Sequence, residues 1–388
     1  MTALKPIYWN FDGLDVSFQG AIPPDMAEAL EKARLAAQAN RSSELLEWHG
    51  EKMHVAESGA RGGYAYRCDT GPIGATWFFS RNQSLIGWNI RVSVKSNALA
   101  CLGLGKVRAE LYRFLAAIGA KAASESISRV DYCMDFLASD IEAITGQCFA
   151  LNPTAFVMHS HMSRMDIETE GDKRSHGVSG RYSSVTCGKM PGRQIIIYDK
   201  TQEISARRKP EWWQHWDAAR IRHGHPPLTR QERVWRVEFR AGKEHLKNRW
   251  GITTWAQLDD KLGDLFAAAA RQIRYTSPNA NDAERFRWPN HPLWDAIENT
   301  IAYDLAEMMT GATPNAVKEI HRQQLAATME QQLLGLLPGL TMSTGTPPDT
   351  ESVSQATDAL VRNYLETSPD RFQAGLERSA RKYRLICD

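Results

Sequence analysis

Three short stretches hold reactive side chains at strand spacing: ISRVDYCMDF (127–136), QIIIYDK (194–200) and VWRVEFR (234–240). Side chains of an extended chain alternate faces, so Asp131, Cys133 and Asp135 share one side and Val130, Tyr132, Met134 and Phe136 the other. Two carboxylates this close on an apolar strand are costly to bury unless a cation or hydrogen-bond donors neutralise them. A divalent metal would do so. A pairing of Asp131 with Arg129, with Asp135 facing water on a half-exposed sheet, would do so too. The same period sets Ile195, Ile197 and Asp199 against Ile196, Tyr198 and Lys200, which places a phenol beside an ammonium. It also gathers Arg236, Glu238 and Arg240 on one face, a glutamate between two cations. The plain structural alternatives are a core tyrosine with a satisfied hydroxyl and a glutamate neutralised by its arginines.

The elements that must position these residues can be read from periodicity. Residues 25–41 read as a surface helix behind Pro23 and Pro24, and 88–94 as a strand with one wet face. Residues 106–119 place Val107, Leu111, Leu115 and Ile118 at helical spacing, with Gly119 as the stop. The aspartate strand follows, then a helix near 140–150, a polar segment around DIETEGDKRS, and the strands at 192–200 and 233–240. Strands without regular helical crossovers predict an α+β fold with a mainly antiparallel sheet, and the pattern turns helical from about 255. The expected division is an N-terminal region (1–60), a sheet domain (61–254), a helical region (255–337), a flexible linker (338–352) and a helical tail (353–388), without internal repeats.

Of the 388 residues 24% are charged and 43% hydrophobic, the composition of an ordinary globular protein long enough for two or three domains. The start MTALKPIYWNFDG lacks the basic and apolar run of a signal peptide, and no stretch approaches 18 uninterrupted apolar residues. A cytoplasmic protein without membrane contact is expected. Cysteines 68, 101, 133, 148, 187 and 387 form no C-x-x-C pair, against both a disulfide framework and a zinc site. The net charge is only +2, yet residues 200–251 carry thirteen Lys/Arg against six acids. Such a stretch is either a phosphate-backbone contact or a solvated face.

Taken in order, WNIRVSVKSNAL, ISRVDYCMDF, VTCGKMPGRQIIIYDKTQE and VWRVEFR resemble the Rep_trans family of plasmid and phage rolling-circle replication initiators, which is related to a class of conjugative-element relaxases. The resemblance spans roughly residues 88–250. It implies a sheet-based nicking domain, distantly HUH-like, with Tyr198 as DNA nucleophile, Lys200 beside it, and Asp131, Asp135 and Glu238 as ligands of Mg²⁺ or Mn²⁺. It implies origin DNA as partner, with an extruded or single-stranded nick site, a homodimer, and a host helicase. Arg129, Arg193, Arg207, Arg208, Lys209, Arg236 and Arg240 are the basic side chains expected on that DNA. The chain departs from the family in a tryptophan-rich insertion (205–233) and a C-terminal extension. Trp212, Trp213 and Trp216 there can either stack on unpaired bases or form one hydrophobic helix face. His159-Ser160-His161 resembles the histidine-x-histidine metal strand of another nickase class, but with serine where a bulky apolar residue is usual. His223 and His225 read as loop residues, and no helix-borne Arg/His set of a tyrosine recombinase accompanies Tyr198. A relaxase with the same chemistry, or a silent DNA-binding regulator that keeps the fold, are the alternatives.

Overall fold

The computed structural model describes residues 4–81, 84–158, 173–178, 180–303, 305 and 312–387. His159 and His161 fall outside them. The chain opens with β1 (Tyr8–Ala21) and α1 (Pro24–Asn40), followed by β2 (Glu44–Trp48), β3 (Glu51–Val55), β4 (Tyr64–Asp69), β5 (Ala75–Ser80) and β6 (Ile90–Val94). Helix α2 (Ser96–Ala117) leads into β7 (Lys121–Leu137), then α3 (Ala138–Thr145), β8 (Phe156–Met158), β9 (Lys173–Val178), β10 (Arg181–Gly188) and β11 (Arg193–Asp199). Helices α4 (Lys200–Ala206) and α5 (Glu211–Arg222) precede β12 (Val234–Gly242), α6 (Trp255–Gln272) and β13 (Ile273–Tyr275). Helices α7 (Pro292–Tyr303), α8 (Pro314–Thr344), α9 (Thr350–Thr367) and α10 (Pro369–Cys387) end the chain.

Eleven strands form one sheet in the order β2-β3-β4-β5-β6-β1-β7-β12-β11-β10-β9, with antiparallel neighbours throughout. The molecule is therefore α+β with a large antiparallel sheet and a helical C-terminal region. The sheet crosses the boundary expected near residue 60: β1 lies at its centre between β6 and β7, and β3 pairs with β4. The expected linker is also largely helix, because α8 runs to Thr344 through Pro338 and α9 begins at Thr350. The breaker residues of PGLTMSTGTPP end the helix only at Gly345, which takes the left-handed conformation at φ 67°. No described helix is long and apolar enough to cross a membrane.

Alternation gives the centre of the sheet two chemically different faces. Phe11, Tyr132, Met134, Ile195, Ile197, Val237 and Phe239 form the apolar one, buried against α6 and α7. Helix α6 starts at a capping box between Thr254 and Gln257 and turns Leu258, Leu265, Phe266 and Ala269 inward. Phe266 meets Tyr132 at 5.8 Å and Phe239 at 6.1 Å between ring centres, while Trp294 of α7 meets Phe239 at 5.9 Å. The opposite face carries Tyr8, Asn10, Asp131, Cys133, Asp135, Arg236, Glu238, Arg240 and Tyr198, brought level by register.

Candidate active site

Antiparallel pairing sets Asp135 opposite Arg236, Cys133 opposite Glu238 and Asp131 opposite Arg240, with Tyr198 of β11 opposite Arg236 from the other side. On the β1 side Tyr8 stands opposite Asp135 and Gly13 opposite Asp131, with a bulge at Asp12 between them. A Cβ on Gly13 would lie 2.5 Å from Oδ2 of Asp131, so only glycine lets the β1 backbone approach that carboxylate. The bulge turns Asp12 onto the polar face, where it accepts from Nη1 of Arg236 at 2.8 Å.

One end of this face is sealed. Arg236 is fully buried and forks onto Asp135, with Nε to Oδ1 at 2.6 Å and Nη2 to Oδ2 at 2.8 Å. Oδ2 also accepts from the indole of Trp216 at 2.7 Å. Trp212 lies over the guanidinium, 4.1 Å from its centre to the ring centroid, and packs edge-on against Tyr8 at 5.6 Å. Burial alone would push the Asp12 carboxyl up, but Arg236 and, behind it, Lys200 outweigh that and hold it below its usual range. Burial and the nearby Arg236 push the Lys200 ammonium down; its Nζ donates to Glu203 at 2.8 Å and sits 4.5 Å from the Trp212 ring. Burial likewise pushes His215 of α5 down to about 3, leaving a neutral ring against Asn97 at 3.3 Å.

The other end is open. Arg240 forks onto Glu238 at 2.7 and 3.1 Å, and Arg129 onto Asp131, the Nε contact being 3.0 Å. Arg240 also stands 4.0 Å from Asp131, so it links the two carboxylates. Their guanidinium groups reach solvent: the side chains of Arg129 and Arg240 are 35% and 29% exposed, against 0% for Arg236. Burial pushes Asp131 up to about 7; the Arg129 hydrogen bonds oppose this and the charge of Glu238 adds to it. Half-buried Tyr198 lies between the two ends and donates from Oη to Oε2 of Glu238 at 3.2 Å. Burial, followed by the Glu238 charge, holds its hydroxyl well above the usual phenol range.

The structure sorts the expected site residues. Tyr198, Glu238, Asp131, Arg129 and Arg240 come together at the open end. Asp135 and Arg236 lie in the sealed end, paired with each other and without solvent exposure. The expected three-acid set for Mg²⁺ or Mn²⁺ does not fit this arrangement, since both oxygens of Asp135 are taken by buried donors and guanidinium forks cover Asp131 and Glu238. Among the described residues no three His, Cys, Asp or Glu side chains are grouped to hold a cation. Lys200 is enclosed under Trp212 rather than presented to a phosphate. Arg193 sits on the opposite face and bonds Gln272 of α6, because its register places it level with Ala241 rather than Arg240. Arg207, Arg208 and Lys209 lie in the turn between α4 and α5, where Arg207 and Lys209 share Glu203 with Lys200. The tryptophans form a helix face: Trp212 and Trp216 are buried, so base stacking is closed to them, and half-buried Trp213 carries Arg230 at 4.6 Å. Of the other tyrosines, Tyr132 is enclosed on the apolar face and Tyr182 is exposed on β10.

Sequence reasoning passed over Asp12 and Tyr8, and it named Trp216 without its bond to Asp135. The signal for Asp12 was the Asp-Gly pair interrupting an alternating strand pattern in YWNFDGLDVSF, which marks a bulge. Nothing local marks Tyr8, whose buried hydroxyl has no hydrogen-bond partner among the described residues.

No family model matches the chain, and no curated protein matches it by sequence. Among solved structures, a rolling circle replication initiator protein from Geobacillus stearothermophilus superposes on 79% of this chain and 100% of its own, with 14% identity and a TM-score of 0.38. Chains so distantly superposed need not share chemistry, so this chain's own residues must carry any functional reading.

Proposed function

We propose that this chain is a DNA strand-transferase that initiates rolling-circle replication by cutting one strand at an origin with Tyr198. The ordered motifs that resemble the Rep_trans family support this reading. The observation that carries it is the Tyr198 hydroxyl donating to Glu238 at 3.2 Å, beside two guanidinium groups that reach solvent. Glu238 accepts the phenol proton as Oη attacks phosphorus. The bond from phosphorus to the 3′ oxygen breaks, the 5′ phosphate remains on tyrosine as a diester, and the departing oxygen, once protonated, is the hydroxyl that primes synthesis. Arg240 and Arg129 offset the negative charge that grows on the phosphate oxygens. Attack by a 3′ hydroxyl on the phosphotyrosine reverses the step and reseals the strand. Origin DNA with an unpaired nick site is the partner this chemistry needs, and a homodimer and a host helicase would complete the initiation complex. The same steps would serve a relaxase.

A second reading, a DNA-binding regulator without nicking, is favoured by the raised Tyr198 hydroxyl and by the guanidinium forks on all three acids. A labelled single-stranded origin oligonucleotide separates the two. The parent chain should trap a covalent adduct through the DNA 5′ phosphate, and Tyr198→Phe should bind the oligonucleotide without forming it. Adduct formation by the variant would overturn the assignment of Tyr198; binding without an adduct in the parent would favour the regulator. A requirement for added Mg²⁺ or Mn²⁺ would mean that the Arg129 and Arg240 forks open when DNA arrives.

A further inference from the structure

The polar face of the sheet continues past Tyr198. Residues directly opposite each other on antiparallel strands share a face, and β10 sets Ser184 opposite Tyr198 and Thr186 opposite Ile196. The register runs on into β9, where His176 stands opposite Ser184 and Arg174 opposite Thr186. Arg181 stands opposite Val178, two residues on from His176, and so shares this side as well. One row therefore runs from Asp135 and Arg236 through Tyr198 and Ser184 to His176, and the next from Glu238 through Ile196 and Thr186 to Arg174. With strands about 4.8 Å apart, β9 lies on the order of 10 Å from the strand of the tyrosine.

The two sides of Tyr198 differ. Toward β7 the row is closed, because Arg236 and Asp135 lie under Trp212 and Trp216. Toward β9 it is accessible: Arg174, His176 and Arg181 are exposed, Ser184 and Thr186 are half-buried, and β9 ends the sheet. From Lys173 to Tyr198 the chain carries five Lys/Arg and no Asp or Glu. Asp166, Glu168, Glu170 and Asp172, the acids that precede this stretch, lie outside the described residues.

A DNA strand held at Tyr198 must lie on this face. Helix α5 shuts it out on the Asp135 side, so it can leave over β10 and β9. The side chains met there suit a phosphate backbone: guanidinium groups fork onto phosphate oxygens, and serine and threonine hydroxyls donate to them. We propose that the β9–β10 ribbon binds the unpaired DNA strand that flanks the Tyr198 position, with its phosphates at Arg174 and Arg181 and the hydroxyls of Ser184 and Thr186 between these and the tyrosine. This rests on DNA as the partner proposed above, but not on Tyr198 cutting it.

Fluorescence anisotropy of a labelled oligothymidylate of about 20 nucleotides, longer than the site of a single domain, tests this on the full chain without added metal. The double variant Arg174→Gln, Arg181→Gln should weaken binding about tenfold or more at low salt. It should also reduce the slope of log K against log salt by about 1.4, as for two single-strand phosphates at about 0.7 each. The double variant Arg174→Lys, Arg181→Lys keeps both charges and should keep the parent's slope. The proposal is overturned if the parent does not bind the oligothymidylate or if the glutamine variant keeps the parent's slope. It is also overturned if the lysine variant loses as much as the glutamine variant, which would trace the loss to a disturbed ribbon instead of to charge. Adduct trapping reads Tyr198 separately. A parent that forms no adduct, with the slope still reduced in the glutamine variant, leaves the ribbon standing without the nucleophile. An adduct in the parent with an unchanged slope in that variant leaves the nucleophile standing without the ribbon.

Discussion

Two arginines, four residues apart on the same strand and the same face, have opposite surroundings. Arg236 and its partner Asp135 have no solvent exposure and are closed in by Trp212 and Trp216, whereas Arg240 holds Glu238 with nearly a third of its side chain in water. Both are bidentate guanidinium–carboxylate pairs. The difference lies in what can happen to them: a sealed pair can only hold the sheet and its covering helices together, because opening it strands a charge in a medium that cannot solvate it. Arg240 and Arg129 reach water and so can meet an incoming anion, while the carboxylates they hold, Glu238 and Asp131, are buried. Tyr198 sits where the two environments meet.

The largest effect should come from breaking the sealed pair. Asp135→Asn leaves Arg236 with Asp12 as its remaining acid and should cost about 3–5 kcal/mol, read from urea midpoints. A loss below about 1 kcal/mol would show that this end is not the structural one. At the open end, Glu238→Gln should leave stability within about 1–2 kcal/mol, since Arg240 can turn to water. It should slow adduct formation on the origin oligonucleotide by about 100-fold or more through loss of the base. Equal rates for variant and parent would remove Glu238 from the chemistry.

The open end should also respond to pH. Asp131 is pushed up to about 7 when folded and lies near its ordinary value, about 4, when unfolded. Between those values the folded chain holds a proton that the unfolded chain has released, so this group's contribution makes stability fall as pH rises from about 4 to about 7, and level off above. His215 and His291, pushed down to about 3 and about 4 by burial, act in the opposite direction. The difference between the parent and Asp131→Asn isolates the aspartate, and urea midpoints that run parallel across this range would contradict the assignment. The smallest expected effect concerns phosphate contacts. Arg129→Gln should reduce the salt dependence of DNA binding by about 0.9 in slope, as for one lost phosphate. Arg193→Gln, on the other face, should leave the slope unchanged in fluorescence anisotropy.

Much of this site could be read locally. Alternation alone places Asp131 with Asp135, Arg236 with Glu238 and Arg240, and Tyr198 away from Ile197, and each grouping stands in the structure. The helix at 25–41 and the strand at 192–200 are also there, as α1 and β11. These are properties of one strand or helix, decided by a period of 2.0 or 3.6 residues that holds wherever the element is packed. Residues far apart in the chain settle the rest. Register between β7 and β12 made ion pairs of the acids and arginines. The bulge in β1, more than a hundred residues upstream of either, brought in Asp12. Trp212 and Trp216 have the spacing of a base-stacking pair as much as of a helix face, and only the docking of α5 over Asp135 decided between them. Period and composition determine which face of its own element a side chain takes. Whether that face meets water, a tryptophan or an opposite charge depends on strand order and helix docking, which no local pattern encodes.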